Sequence, residues 1–259
     1  MLVVSAALAW AATYYLMNSM FGMSATDGMV SSALPIAAMS MLFSSLNLGV
    51  FSVFVLAWIA GMVAMMFPAM IPMVSVHYRM ADKVGLLSKV GKIAGTTIFL
   101  GGYLMLYVVL GLGAYFAVFL AFQFGAMIPS LSAYTTMVAG VVLMVAGVWQ
   151  LTPYKDACVK YCVSPVGFFL THAKNGLGGA FRMGAEHGYY CVGCCYLYMI
   201  VMLSVAAMSI PSMALLAIVI TLEKVIVKGA KWFTRLVGAG FITFGIIIWF
   251  IPRLLAVIV

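Results

Sequence analysis

The sequence predicts an all-α protein, a polytopic bundle of about seven transmembrane helices that forms one membrane domain over residues 1–259. Three observations predict it. Of the 259 residues, 66% are hydrophobic and only 7% are charged, whereas a soluble domain carries about 25% charged residues. Apolar runs recur along the chain, each close to the ~20 residues that a helix needs to cross a bilayer. Basic residues cluster between alternate runs, and no stretch is polar enough to form a separate soluble domain.

Seven apolar runs are candidate crossings. The sixth is the weakest of them, because Glu223 and Lys224 shorten its apolar stretch. The stretch 33–48 is also apolar, and it fits an interfacial or half-inserted segment better than a further crossing. The seven runs lie at about 1–20, 50–73, 94–122, 134–151, 188–208, 212–227 and 236–258.

The distribution of positive charge predicts the side of the membrane that each segment faces. Twelve of the thirteen Lys and Arg residues fall in the segments 74–93, 152–187 and 224–235, and basic loops stay on the cytoplasmic side. Seven crossings then place the N-terminus in the cytoplasm and the C-terminus outside, with Arg253 as the exception. We expect a multi-pass protein of a prokaryotic cytoplasmic (inner) membrane. We attribute its net charge of +8 to the basic loops that fix membrane topology. We therefore expect no nucleic-acid partner.

Five cysteines form two tight groups in this apolar chain. Cys158 and Cys162 lie four residues apart, and therefore on one face, of a short helix that Thr152-Pro153 should begin and Ser164-Pro165 should end. The second group lies on one face of the fifth predicted crossing, at positions i, i+4, i+7 and i+8. It consists of His187, Cys191, Cys194 and Cys195.

Five thiols and one imidazole at the cytoplasmic end of the bundle exceed what a tetrahedral metal site needs. We expect them to bind a soft transition metal, either zinc, which takes four Cys or His ligands, or copper(I), which favours thiolates and thioethers. Lys155, Lys160 and a helix N-terminus should favour the thiolate forms. The candidate ligands are Cys158, Cys162, Cys191, Cys194, Cys195 and His187.

Two other uses of these cysteines stay open. Free cysteines often pack as small apolar residues, which would make the protein a purely structural subunit. Cys191 and Cys194 also have the CxxC spacing of thiol–disulfide oxidoreductases, although the predicted outer loops contain no cysteine. Because the cytoplasm is reducing, a permanent disulfide is not expected. The spacing alone does not tell whether the two groups meet in space.

Other polar or soft residues allow two interpretations each. Methionines on one face of the second crossing could bind copper(I), or they could fill gaps in the core. Glu223 with Lys224 could be a functional charge pair within the membrane or an ion pair at the headgroups. His77 and His172 fall in basic loops, where we expect them to be solvated. The methionines are Met62, Met66, Met70 and Met73, with Met65 beside them.

Three motifs resemble those of the family of predicted metal-binding integral membrane proteins of prokaryotes, a domain of unknown function. The resemblance covers roughly residues 55–230 and includes the Glu223-Lys224 pair. Tyr196 stands where the family commonly has Trp after the double cysteine, a difference that should alter packing more than ligation. The motifs are Met-Met-Phe-Pro-Ala-Met-Ile-Pro-Met at 65–73, Trp-Gln-Leu-Thr-Pro-Tyr-Lys at 149–155 followed by Cys158 and Cys162, and the segment 184–195 with its CxGCC core.

These observations together favour a membrane protein that holds copper or zinc and is not itself an enzyme. No acid or base that could activate a substrate accompanies the cysteines, so we expect the metal to be structural or to be delivered onward. The protein's partners should be the lipid bilayer and other membrane subunits. We expect an accessory subunit of a larger membrane metalloenzyme, such as a copper-dependent monooxygenase or oxidase.

Overall fold

A computed structural model describes residues 2–21, 48–81, 89–127, 135–204, 210–227 and 230–251, and these residues are almost entirely helical. Nearly all of the apolar stretch 33–48 lies outside them, as does Arg253. In chain order, the helices are α1 (Leu2–Phe21), α2 (Leu48–Met80), α3 (Lys89–Met127), α4 (Thr135–Gln150), α5 (Pro153–Val163), α6 (Pro165–His172), α7 (Gly176–Ser204), α8 (Ile210–Thr221), a π-helix (Leu222–Ile226) and α9 (Lys231–Phe250).

Within the described part of the chain, four helices are long and apolar enough to cross a membrane, namely α2, α3, α7 and α9. A fifth candidate span combines α4 with α5, which are bent by 67° relative to each other. The first and sixth predicted crossings correspond to shorter apolar helices, since α1 qualifies over Leu2–Leu16 and α8 has 12 residues. The described residues are therefore compatible with a helical membrane protein and contain four to five candidate spans.

The second crossing is one unbroken helix. Pro68 and Pro72 both lie inside α2, which continues through them. Each proline leaves a carbonyl without its helical partner, and transmembrane helices accept this where neighbouring groups compensate. Phe67, Ala69 and Met70 beside the prolines are buried, so tertiary packing holds this part of α2 in helical form.

The turn between α4 and α5 forms as predicted. The Thr152 hydroxyl donates to the Trp149 carbonyl oxygen (2.7 Å) and accepts from the Lys155 backbone N–H (3.5 Å), and Pro153 is the first residue of α5. Ser164 then separates α5 from α6. This bend turns α5 back against α7 and the π-helix.

Glycines allow α3 and α7 to pack with their backbones in contact. A Cβ atom added at Gly184 would overlap the backbone oxygen of Phe99, and one at Gly102 would overlap that of Phe181. Small residues at such positions permit the close approach of membrane helices. The approach brings the tyrosines of α3 to the cysteine-bearing face of α7.

Candidate metal centre

Three buried cysteines from the two sequence groups meet in the core. The Sγ atoms of Cys162, Cys191 and Cys194 all lie within 4.8 Å of one another, and those of Cys162 and Cys194 are 3.8 Å apart. A metal with three planar bonds of about 2.3 Å would place its sulfur ligands about 4.0 Å apart. Cysteines from both sequence groups thus come together, which their spacing alone left open, and their sulfurs are about as far apart as in a three-sulfur site.

Local structure explains how these sulfurs meet. Cys191 and Cys194 are one turn apart on α7 and share a face, which is buried. Cys162 lies near the end of α5, a helix that reaches α7 because the chain bends sharply after Gln150. The three-sulfur group, meaning Cys162, Cys191 and Cys194, therefore depends on the turn at Thr152.

The sulfur of Cys191 is surrounded by hydrogen-bond donors. The Lys224 ammonium donates to it from 2.9 Å, and the Tyr107 hydroxyl donates from 3.2 Å. The Tyr103 hydroxyl oxygen is also 3.2 Å away. A buried ammonium at this distance offsets the negative charge of a thiolate. The sequence predicts this role for Lys155 and Lys160, but the structure places Lys224 beside the sulfur instead.

Lys155 belongs to a separate buried network. Its Nζ is 2.7 Å from Glu223 Oε1, and the two side chains are 0% and 2% exposed. The same carboxylate accepts hydrogen bonds from the hydroxyls of Tyr198 (3.1 Å) and Thr234 (3.0 Å). Buried charges need such partners because desolvation is costly. Of the two interpretations of the Glu223-Lys224 pair, the ion pair at the headgroups is wrong, since both residues are buried and each bonds to another helix.

The other three predicted ligands lie outside the three-sulfur group. The Cys195 thiol is buried and donates to the Cys191 carbonyl oxygen (2.7 Å). Cys158 is half-buried, and its sulfur lies over Gly193, 3.0 Å from where a Cβ would stand. His187 is 1% exposed, and its Nδ1 has no hydrogen-bond partner within the described part of the chain.

Of two further residues that the sequence analysis singled out, His77 differs from the expectation and Tyr196 agrees with it. His77, expected to be solvated in a basic loop, is in α2 and is 1% exposed, because α2 continues beyond the predicted crossing and buries it against α3. Tyr196, which replaces a common Trp of the resembling family, packs edge-on against Trp149 at 5.1 Å. Its effect is therefore on packing, as expected.

The family match places this geometry in a functional context. A family model, PpoB2, described as a copper chaperone, matches residues 55–248, which is most of the chain and includes all five cysteines. The chain belongs to the PpoB2 copper chaperone family. No curated protein and no solved structure matches it. The family match thus supports the metal-related function that the resemblance implied.

Buried methionines lie in the same core as the three-sulfur group. Thioethers bind copper(I) as well as filling gaps in a core. Nine methionines of the described residues are buried in the same core as the three-sulfur group. The nine are Met62, Met65, Met66, Met70, Met73, Met183, Met199, Met202 and Met213.

Proposed function

We propose that this protein is a membrane copper chaperone, which holds copper(I) with Cys162, Cys191 and Cys194 and passes it to a partner in the same membrane. One observation carries the proposal: three buried cysteine sulfurs from two distant segments lie within 4.8 Å of one another. Family membership supports copper as the cargo.

The donor set suits copper(I) better than zinc. Structural zinc sites are tetrahedral and complete their coordination with four Cys or His ligands. Among the described residues, only three such ligand atoms converge. Soft thiolates in low coordination are the environment that copper(I) favours. Because Lys224 adds one positive charge beside Cys191, a monovalent ion is also easier to accommodate than a divalent one.

The copper is proposed to be cargo and not a catalytic centre. The charged side chains closest to the sulfurs are occupied, Lys224 by Cys191 and Glu223 by Lys155. A site of free thiols in the core of a membrane bundle suits storage and onward transfer. We propose a multi-pass protein of the cytoplasmic membrane, with this site toward the cytoplasm, that serves a copper-dependent monooxygenase or oxidase as an accessory subunit.

Copper binding by single-cysteine variants tests the proposal. The full chain is purified in detergent under reducing conditions, and copper(I) binding is measured by competition with a colorimetric chelator. We expect one tightly bound copper with sulfur-only ligands in X-ray absorption spectra. Cys162→Ser, Cys191→Ser and Cys194→Ser should each lose it, while Cys158→Ser, the matched control, should retain it.

The same variants distinguish the alternatives. A protein that excludes copper but has thiols titrating as a redox pair would support thiol–disulfide exchange. Metal-free variants that fold and function like the wild type would support a packing role for the cysteines. Stoichiometric zinc with a fourth ligand would overturn the choice of copper.

A further inference from the structure

One tyrosine hydroxyl contacts the sulfurs of two different cysteines. The Tyr107 hydroxyl donates to Cys191 Sγ from 3.2 Å, and its oxygen is 3.9 Å from Cys195 Sγ. All three side chains are buried. Cys191 belongs to the three-sulfur group, whereas Cys195 does not. The hydroxyl therefore lies beside both the site and the one cysteine of α7 that is outside it.

Cys195 is close enough along the chain to serve as a fourth ligand. It lies one helical turn after Cys191 on α7 and directly follows Cys194, and its free thiol is as soft a donor as the other three. In the structure, this thiol instead donates to the Cys191 carbonyl oxygen (2.7 Å). To join a tetrahedral site, its side chain must rotate toward Cys191 Sγ, because the sulfurs of such a site are about 3.8 Å apart.

Hydrogen bonds from two other residues hold Tyr107 in place. Its hydroxyl accepts from the Tyr103 hydroxyl (3.2 Å) while it donates its only proton to Cys191 Sγ. On the backbone side, the Trp58 indole N–H of α2 donates to the Tyr107 carbonyl oxygen (2.9 Å). The indole reaches this position because Gly111 has no Cβ, and a Cβ added there would overlap the Trp58 ring. Moving the Tyr107 hydroxyl would therefore leave buried polar groups unpaired, which is unfavourable.

We propose that Tyr107 determines metal specificity: its hydroxyl keeps Cys195 away from the ion, so that the site stays three-coordinate and prefers copper(I) to zinc. Copper(I) accepts low coordination by soft ligands, whereas structural zinc binds four Cys or His ligands. Specificity is a difference between two affinities, and disfavouring the wrong ion is enough to produce it. The hydroxyl therefore weakens zinc binding without removing a copper ligand. This inference rests on the proposed copper-binding function.

Removing the hydroxyl while keeping the ring tests this role. The full chain of Tyr107→Phe is purified in detergent under reducing conditions, and its affinities for copper(I) and for zinc are measured by chelator competition. We expect the ratio of zinc affinity to copper affinity to rise at least about tenfold over the wild type, because Cys195 can then reach the ion. Zinc X-ray absorption spectra should show four sulfur ligands at about 2.3 Å, one more than in the wild type.

Tyr103→Phe is the matched control. The Tyr103 hydroxyl oxygen is also 3.2 Å from Cys191 Sγ, so both variants lose a buried hydroxyl beside the same sulfur and should weaken copper(I) binding to a similar extent. Within the described part of the chain, only the Tyr107 hydroxyl of this pair contacts Cys195. The ratio of zinc to copper affinity should therefore rise in Tyr107→Phe but not in Tyr103→Phe.

A second substitution tests whether Cys195 supplies the added ligand. Adding Cys195→Ser to Tyr107→Phe should abolish the gain in zinc affinity and return the zinc site to three sulfurs. Equal affinity ratios for Tyr107→Phe and Tyr103→Phe, or a gain that survives Cys195→Ser, would overturn the role of Tyr107 alone. A wild-type protein that takes up no copper would overturn the proposed function and this inference with it.

Discussion

At the scale of single residues, Glu223 and Lys224 are neighbours in the chain but bond to different helices. Glu223 pairs with Lys155 of α5, and Lys224 reaches Cys191 of α7. Both residues belong to the π-helix, a local widening of the helix that often marks functional sites. One short segment thus supplies a counter-charge to the cysteine site and a partner for a buried lysine.

Replacing Lys224 tests its contribution to copper binding. We expect Lys224→Met to weaken copper(I) binding by about 10- to 100-fold, because the negative charge of the thiolates is then uncompensated in a buried site. Lys231→Met is the matched control, since Lys231 is 69% exposed and pairs with the half-exposed Asp156 (3.6 Å). Chelator competition measures both affinities, and equal values for the two variants would show that Lys224 is not part of the site.

At the scale of helices, a short helix brings the third sulfur to the site. Only 11 residues form α5, and such a helix has little stability of its own. The buried Lys155–Glu223 pair joins α5 to the π-helix and positions Cys162. The polar network therefore supports the metal site without touching its sulfurs.

Breaking this pair should destabilise the protein. Glu223→Gln leaves the Lys155 ammonium buried without a counter-charge, which costs about 3–5 kcal/mol of unfolding free energy. Thermal unfolding in detergent measures the loss. The matched control is Lys174→Met, which breaks the more exposed pair of Lys174 with Glu186 and should cost about 1 kcal/mol or less. Adding Lys155→Met to Glu223→Gln should recover part of the loss, and a purely additive double variant would show that the pair is not coupled.

Two adjacent glycines of α3 offer a direct test of the α3–α7 contact. Gly102→Ala places a methyl group against the Phe181 backbone, whereas Gly101→Ala meets nothing within 4 Å. We expect the first to cost about 1–3 kcal/mol through forced separation of the helices. The second should be neutral or stabilising by up to about 1 kcal/mol, because alanine is the better helix former. Similar melting temperatures for the two variants would contradict the close packing.

At the scale of the whole molecule, the proposed orientation predicts which segments face the cytoplasm. Alkaline phosphatase fusions should be active after Ser130 and Ser209, and fusions to green fluorescent protein should fluoresce after Asn175 and Lys228. The pair at Ser209 and Lys228 decides whether α8 with the π-helix crosses the membrane. Phosphatase activity after both positions would mean that it does not, and that seven crossings is too many.

Charge counting along the sequence treats Lys155 and Lys224 as loop charges, and the structure shows why this is incomplete. Both are buried, because each has a specific partner on another helix. Neither partner could be predicted from the sequence, because the paired residues are tens of positions apart in the chain. The basic segments still contain other lysines and arginines. The predicted orientation therefore rests on those remaining charges.

The candidate site shows the same division between local and tertiary information. Helical spacing alone placed Cys191 and Cys194 on one face, and the Thr-Pro and Ser-Pro signals located the ends of α5. The exclusion of Cys158, Cys195 and His187 from the three-sulfur group could not be predicted. It depends on the angle between α5 and α7, which the glycines, the 67° bend and the buried ion pair determine together.

By itself, the sequence determined the properties that depend on near neighbours in the chain: the apolar helices, the caps of α5, and the concentration of soft ligands in two short segments. These follow from residue type and helical period. Only the tertiary structure decided which sulfurs meet, which lysine lies beside them and which histidines are buried. Those outcomes depend on contacts between segments that are distant in the chain. The free energies of these contacts come from packing and burial, which the spacing of residues does not predict.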